Sequence, residues 1–517
     1  MYNHRRQKAG TYIEEIDTRL LRDLLEAHHD KEWLSYSLSV QEIDPLSYLE
    51  KTGPGEQYYW EQPARRFAIA SGGAAVILKA TGANRFKEIS EQSRQLKRKH
   101  IAASSANHAL AEPVLLGGYS FSDHNIQNRW KNFGAARFLL PDWSLIRSGS
   151  TCLLTLTVRI CGKKQDSLLN ELERMIFSFK NRCRRIKTGN CSDSNPSYGN
   201  GDAGYRNSTG PGGNGSNGNG PDSRCSRNPD GRPDNSRHKY QLARPSNSFA
   251  DWRKQVDRSM QMIADGTFQK IVIARHLDFQ AEKPIRVPRV MDHLRHRFPE
   301  CFNFMISAKN GPSFIGASPE RLISLRRNKV LTEGLAGSTS RGNSTMEDVA
   351  LGQALMESSK ERSEHNFVVE DIRNTLRPFA LRLDHRRQPV IKKLNNLQHL
   401  YTPIYAEIKK ETSIHELAGN LHPTPAVGGF PKRSSVPYIN EIEDMDRGWY
   451  AGPVGWFTFS GAGEFAVAIR SAWIDRRQAR LYAGSGIVQD SNPEKEWNET
   501  EMKLSPVLNA LKQATND

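Results

Sequence analysis

The sequence has no long apolar run. Its longest mostly apolar stretch, Phe67 to Leu78, stops at Lys79 and contains two glycines, against the ~20 residues a helix needs to cross a bilayer, so no membrane span is expected. The basic residues of the N-terminal MYNHRRQKAG are not followed by an apolar segment, so no secretory leader is expected either. Cysteine is scarce: Cys152, Cys161, Cys183, Cys191, Cys225 and Cys301 show neither C-x-x-C nor metal-finger spacing. That excludes a disulfide scaffold and a zinc finger, and points to free thiols in a reducing, cytoplasmic setting. No G-x-x-x-x-G-K-[ST] occurs. The G-x-G-x-x-G matches, such as Gly213–Gly218, sit in a glycine-rich run with no strand pattern before it and no helix pattern after it, so the nucleotide-binding fingerprint is missing.

What is present is ordinary globular material with a basic balance. The chain has 517 residues, 37% of them hydrophobic, enough for a sizeable core and for two to four domains or one large enzyme fold. Lys+Arg less Asp+Glu is 73 − 57 = +16. The basic clusters Lys97–His100, Arg182–Lys187 and Arg386–Lys393 are scattered and largely without aromatics. A solvated surface, or attraction for an anionic small molecule, fits them better than a nucleic-acid face. A basic nucleic-acid-binding protein is the rival reading from another class, and no nucleic-acid partner is expected.

Composition divides the chain. Ten glycines fall between Gly189 and Gly220, mostly among Asn, Ser, Asp and Pro, and polar residues continue to about Arg244. Such a stretch buries too little apolar surface to offset its ordering entropy, so residues 189–245 are expected to be a disordered low-complexity loop between an N-terminal part (1–188) and a catalytic part (246–517). Strands are expected at Phe67–Leu78, Val114–Phe121, Leu153–Ile160, Ile271–Ala274, Phe302–Ser307, Leu322–Leu325 and Gly463–Ile474. Helical spacing covers Met346–Leu376 and Glu494–Lys512, the latter interrupted near Pro506. Strands and helices mix without regular βαβ alternation, which predicts an α+β fold.

Two kinds of pattern carry chemistry. Four glycine-bearing blocks, Gly316-Ala-Ser-Pro-Glu320, Leu335-Ala-Gly-Ser338, His422-Pro-Thr-Pro-Ala-Val-Gly-Gly429 and Ala483-Gly-Ser-Gly-Ile-Val488, read as ligand loops offering backbone N–H groups to an anion. Glu361 with Glu364, and Glu496 with Glu499, are i, i+3 pairs, each on one face of a helix. Two facing E-x-x-E helices could hold Mg²⁺ through carboxylates and waters. By pattern alone, two solvated acidic faces beside Lys360, Arg362, Lys495 and Lys503 account for them better.

Taken together, the blocks FQKIVIARHL, GASPERLISL, LAGSTSRG, SEHNFVVEDI, LQHLYTPIYAEI, LHPTPAVGGFPK, GWYAGPVGWF, GEFAVAIRSA, LYAGSGIV and EWNETEMKL resemble the chorismate-utilising enzymes in kind and order. Within that family they are most similar to isochorismate synthases. The resemblance spans most of 246–517 and extends faintly to Gly117–Phe121 and Phe133–Pro141. Related anthranilate synthases read more like PAGT-x-SGAPK at the HPTPAVGGFPK block, and salicylate synthases depart there too; these two activities are the same-fold alternatives.

The resemblance implies an α+β chorismate-utilising fold, two layers of largely antiparallel sheet flanked by helices. It implies Mg²⁺-dependent conversion of chorismate to isochorismate, by water addition at C2 and loss of the C4 hydroxyl, for menaquinone or siderophore synthesis. Lys270 would be the general base and Glu320 the general acid. Glu364 and Glu499 would hold the metal, with Glu361 and Glu496 in its outer shell. Ala336, Gly337, Ser338, His399, Arg470, Gly484, Gly486 and Lys503 would meet the substrate. A lysine base must be neutral and a glutamic acid protonated at neutral pH, so opposite pKa shifts are expected for Lys270 and Glu320.

Overall fold

The structure is a computed structural model and describes residues 12–123, 128–189, 240–245 and 248–516. Its strands form two sheets, one of 13 strands and one of 10. Each sheet mixes the two parts of the chain. In the larger, Phe302–Ser307 pairs antiparallel with Gln57–Gln62, Phe304 facing Trp60. In the smaller, Pro453–Thr458 pairs antiparallel with Val114–Tyr119. All six residues of Phe302–Ser307 and of Pro453–Thr458 are buried, and a strand covered on both faces reads as a mostly apolar run without polar alternation. The sheets share one core: Phe67 of the larger meets Trp456 of the smaller, with ring centroids 5.6 Å apart. The α+β expectation and the largely antiparallel pairing hold; Trp33–Val40 beside His100–Ser104 is a parallel exception.

Two expected strands are each two strands. Phe67–Leu78 divides into Phe67–Gly72 in the larger sheet and Val76–Ala80 in the smaller, with Gly73 at φ 73° between them. Gly463–Ile474 divides into Gly463–Val467 in the smaller sheet and Ser471–Asp475 in the larger, with Arg470 at φ 51° in the corner. An apolar run keeps its character as the chain crosses from one layer to the other, so pattern alone does not show the corner.

The helices differ from expectation at two places. Met346–Leu376 is two helices, Thr345–Glu357 and Ser359–Leu376; Ser358 ends the first in extended conformation, and its side chain caps the second by accepting from Glu361 N–H. The last helix runs from Pro493 to Asn516 straight through Pro506. Proline removes the N–H that would bond Met502 O, and that carbonyl instead accepts from Ser505 Oγ (3.0 Å) and Asn396 Nδ2 (3.4 Å). Within the expected loop, Tyr240–Pro245 is a strand paired with Lys270–Ala281; residues 190–239 lie outside the described residues. Among the described residues no helix is long and apolar enough to cross a membrane.

Candidate active site

The site lies where both sheets meet the helices Ser359–Leu376 and Pro493–Asn516. The strand Lys270–Ala281 pairs with Gln478–Ile487, Val272 opposite Gly486 and Ala274 opposite Gly484. Helix Phe249–Ala264 steadies the last helix from outside, its buried Trp252 lying 6.2 Å from Trp497. The pocket between these elements has an empty space of about 670 Å³, its open mouth included, and is lined by Glu320, Ala336, Gly337, Ser338, Glu364, His399, Arg470, Gly484, Gly486, Glu499 and Lys503. Every residue named from the sequence is therefore in the pocket wall except Lys270, Glu361 and Glu496, which stand directly behind it.

The glycines were expected in loops and turns, but they sit in strands. Gly484 and Gly486 belong to Gln478–Ile487, and Leu335–Ser338 to Lys329–Ser340. A Cβ on Gly486 would lie 2.8 Å from Glu364 Oε1 and 2.9 Å from Lys270 Cε: this glycine makes room for an ion pair. Val272 and Ala274 send their N–H groups elsewhere, to Gly428 O and Glu443 Oε1. The pairs they form with Gly486 and Gly484 are thus non-hydrogen-bonded, and the peptide groups of both glycines face the other edge. There the neighbouring strand's pairing ends at Tyr482, and Lys503 Nζ donates to Gly484 O (2.8 Å). Gly337, at φ 76°, makes a bulge opposite Leu400 and His399. The bulge directs Ser338 to the acidic helices: its N–H donates to Glu361 Oε2 (3.2 Å) and its Oγ to Glu499 Oε1 (2.6 Å).

The four glutamates of the E-x-x-E pairs do converge. Lys270, fully buried, reaches Glu364 Oε1 at 2.8 Å. Lys503 lies 3.0 Å from Glu499, and Lys360 3.2 Å from Glu496. Ser485 Oγ stands between Glu496 Oε2 (2.5 Å) and Glu499 Oε2, and its single proton can satisfy one of the two carboxylates. Burial and Glu364 push Glu361 up to about 7; burial and Glu499 raise Glu496. Burial also opposes ionisation of Glu499, but Lys503, Ser338 and Ser485 outweigh it and hold that carboxyl well below its ordinary range. Among the described residues no three acidic, histidine or cysteine side chains already converge on one point as a metal would require. The donor set nonetheless fits a hard dication: all oxygen, from two helices, with carboxylates crowded enough that two resist ionisation.

At the other end, burial and then Glu333 push Glu320 up to about 7, and Thr424 Oγ1 is 3.4 Å from its Oε1. His399 Nδ1 donates to Gly337 O (3.3 Å), leaving Nε2 buried without a partner. Burial, Arg470 and Lys503 push this imidazole down to about 3, so it is neutral. Arg470, buried at the corner between the sheets, pairs with no carboxylate among the described residues. The pocket thus offers an uncommitted guanidinium, a carboxyl that keeps its proton near neutrality, and outward backbone groups: a receptor suited to a small anion, with a proton donor in its wall.

The chain matches the family of chorismate binding enzymes over residues 19–200 and 223–512. It belongs to that family. It is 30% identical to the isochorismate synthase MenF of Bacillus subtilis over 493 residues, covering 92% of this chain and 93% of that one. It is 33% identical to the salicylate biosynthesis isochorismate synthase of Pseudomonas aeruginosa over 478 residues, 91% and 89% of the two chains. The solved structure of the menaquinone-specific isochorismate synthase MenF from Escherichia coli matches with a TM-score of 0.68 at 23% identity, covering 96% of this chain and 99% of that one.

In and directly behind the wall of this pocket are residues that the sequence did not single out. Ser485, Thr424, Tyr450 and Tyr482 fall inside the blocks quoted above, yet nothing in their residue types marks them. Tyr450 and Tyr482 stack at 5.2 Å in the pocket wall, joined from distant segments. Ser485 carries the one available signal, a polar residue between two glycines of one strand.

Proposed function

We propose that the protein is an isochorismate synthase, converting chorismate to isochorismate by adding water at C2 and releasing the C4 hydroxyl. The observation that carries this is one pocket with a carboxyl in its wall that holds its proton to about pH 7 and a buried lysine amine directly behind its wall, against the lining Glu364. An exchange of hydroxyls needs one group to take a proton from water and another to give one to the leaving oxygen. Lys270 is the base and Glu320 the acid. To accept a proton Lys270 Nζ must be neutral and turn its lone pair to the water, while it can keep donating to Glu364 Oε1, its 2.8 Å partner. Thr424 Oγ1 donates to Glu320 Oε1, leaving Oε2 to present the proton.

Chorismate is a dianion, and Arg470, Lys503 and the N–H groups of Gly484 and Gly486 answer its carboxylates. His399, its Nδ1 proton committed to Gly337 O, offers Nε2 as an acceptor to a substrate hydroxyl. Ala336, Gly337 and Ser338 bound the space for the attacking water. Glu364 and Glu499 would hold Mg²⁺, with Glu361 and Glu496 ordering its waters, and the ion supplies counter-charge for a substrate carboxylate. A cytoplasmic location and use of the product for menaquinone belong to the same reading; rescue of a deletion strain by menaquinone, against rescue by a siderophore, tests the latter.

The direct test is incubation with chorismate and Mg²⁺, with chromatographic separation of isochorismate, salicylate and anthranilate. Isochorismate as the product supports the proposal. Either of the other two reassigns the activity, and salt-dependent RNA binding without turnover would favour the nucleic-acid alternative.

A further inference from the structure

Glu320 follows the strand Ser313–Ser318, and the backbone on both sides of it is tied down. Its N–H donates to Ser318 Oγ (3.2 Å) and its carbonyl accepts from Val467 N–H (3.1 Å). The flanking groups both go to one ion pair. Lys392 Nζ donates to the Pro319 carbonyl (2.9 Å), and Arg321 N–H donates to Glu333 Oε1 (2.9 Å). Lys392 Nζ also donates to that same Glu333 oxygen (3.2 Å). Neither Glu333 nor Lys392 lines the pocket.

The ion pair belongs to a larger charged cluster. Glu333 is 3% exposed, and its other oxygen lies 3.4 Å from the Arg321 guanidinium, which also reaches Glu464 at 2.9 Å. Two carboxylates thus meet two cations, with the more exposed Arg65 reaching Glu464 from outside at 3.8 Å. Ionising Glu320 adds a third buried negative charge to the two already held by this cluster.

We propose that Lys392 and Glu333 are positioning residues for the acid: their ion pair fixes the peptides on either side of Glu320, so that its carboxyl meets the leaving oxygen in one orientation. This rests on the reading of Glu320 as the general acid. The groups that face Glu320 from other elements are Glu333, Lys270, Lys392, Arg470, Tyr450 and Thr424. Glu333 favours the protonated form of Glu320 and Lys392 the ionised form, so removing each charge acts on titration in opposite directions, while removing either loosens the clamp.

The experiment measures kcat and KM for chorismate against pH, with Mg²⁺, in the full-length protein and in Glu333→Gln, Lys392→Met, Lys392→Arg and Glu320→Gln. Glu333→Gln keeps an acceptor for Arg321 N–H and should move the alkaline limb of kcat to lower pH. Lys392→Met should move that limb to higher pH and lower the plateau kcat on the order of 10–100-fold, the scale of a misplaced catalytic group. Lys392→Arg should restore the plateau, and KM should stay close to wild type throughout. Limbs that stay in place, or move in the same direction, overturn the proposal, as does a loss confined to KM. If Glu333→Gln does not fold, the Lys392 variants decide alone: a wild-type plateau and limb in Lys392→Met overturns it. A fully active Glu320→Gln would instead sink the acid reading itself; an inactive Glu320→Gln beside wild-type limbs in the other variants sinks the positioning role only.

Discussion

Glu320 and Glu499 line the two ends of one pocket with the same side chain and opposite ionisation. Burial works against the charged form at both ends. At the Glu320 end, Thr424 is the hydrogen-bond donor to the carboxyl, at 3.4 Å, and the strongest neighbouring charge is the negative Glu333, so the proton stays to about pH 7. At the Glu499 end, an ammonium at 3.0 Å and two hydroxyls converge on the carboxyl and strip its proton. Donor count and the sign of the nearest charge, rather than depth, separate an acid from an anion site.

The largest effect should come from erasing the proton-transfer groups. Glu320→Gln and Lys270→Ala should each lower turnover by ~10²–10⁴-fold, with chorismate binding, followed by calorimetry, much less affected. A Lys270→Ala variant that folds but no longer binds chorismate would make Lys270 an anion contact and leave the base unassigned. At the other end of the pocket the loss should appear in metal use instead. Glu364→Gln or Glu499→Gln should raise the Mg²⁺ needed for half-maximal turnover by at least the ~10–100-fold that loss of an outer partner costs. Unchanged Mg²⁺ dependence in either variant removes that residue from the site.

A smaller effect follows from pH. Glu320 and Glu361 both rise from 4.5 to about 7 on folding. Raised values favour the protonated fold, so this contribution to stability is complete below about pH 4.5 and is lost as pH rises through 7. Turnover should fall over the upper part of the same window as Glu320 gives up its proton. Mg²⁺ should offset the crowding at Glu361 and not the burial of Glu320. Added Mg²⁺ should therefore raise the Tm more at pH 8 than at pH 5; an equal rise would show that the acidic end does not receive the ion. The smallest effect is expected from replacing residues 190–239 with a short Gly/Ser linker. Closure cost grows slowly with loop length, so turnover should stay within a few-fold of wild type. Loss of folding would make that segment structural.

Much of this was legible from local pattern. Buried strands such as Phe302–Ser307 announce themselves as apolar runs, and the i, i+3 glutamates fall on single helical faces because helical geometry is periodic. The motif order brought out the pocket-lining residues before any contact was known. Local pattern was silent where the chain turns between layers at Gly73 and Arg470, since both sides of each corner are apolar. It also misread Ala483–Val488 as a ligand loop, because the need for an absent side chain at Gly486 comes from Lys270 and Glu364, more than a hundred residues away.

The sequence by itself determined the α+β class, the chorismate-binding family and the set of ionisable groups available for chemistry, because these depend on residue type, period and order. The tertiary structure alone decided which glutamate keeps its proton and which loses it. It also decided that Lys270 is paired with Glu364 and that one half-buried ion pair, Lys392 with Glu333, ties both peptides beside Glu320. Ionisation depends on the distance and sign of neighbouring charges and on the water excluded around them, and those are brought together only when segments hundreds of residues apart are folded against one another.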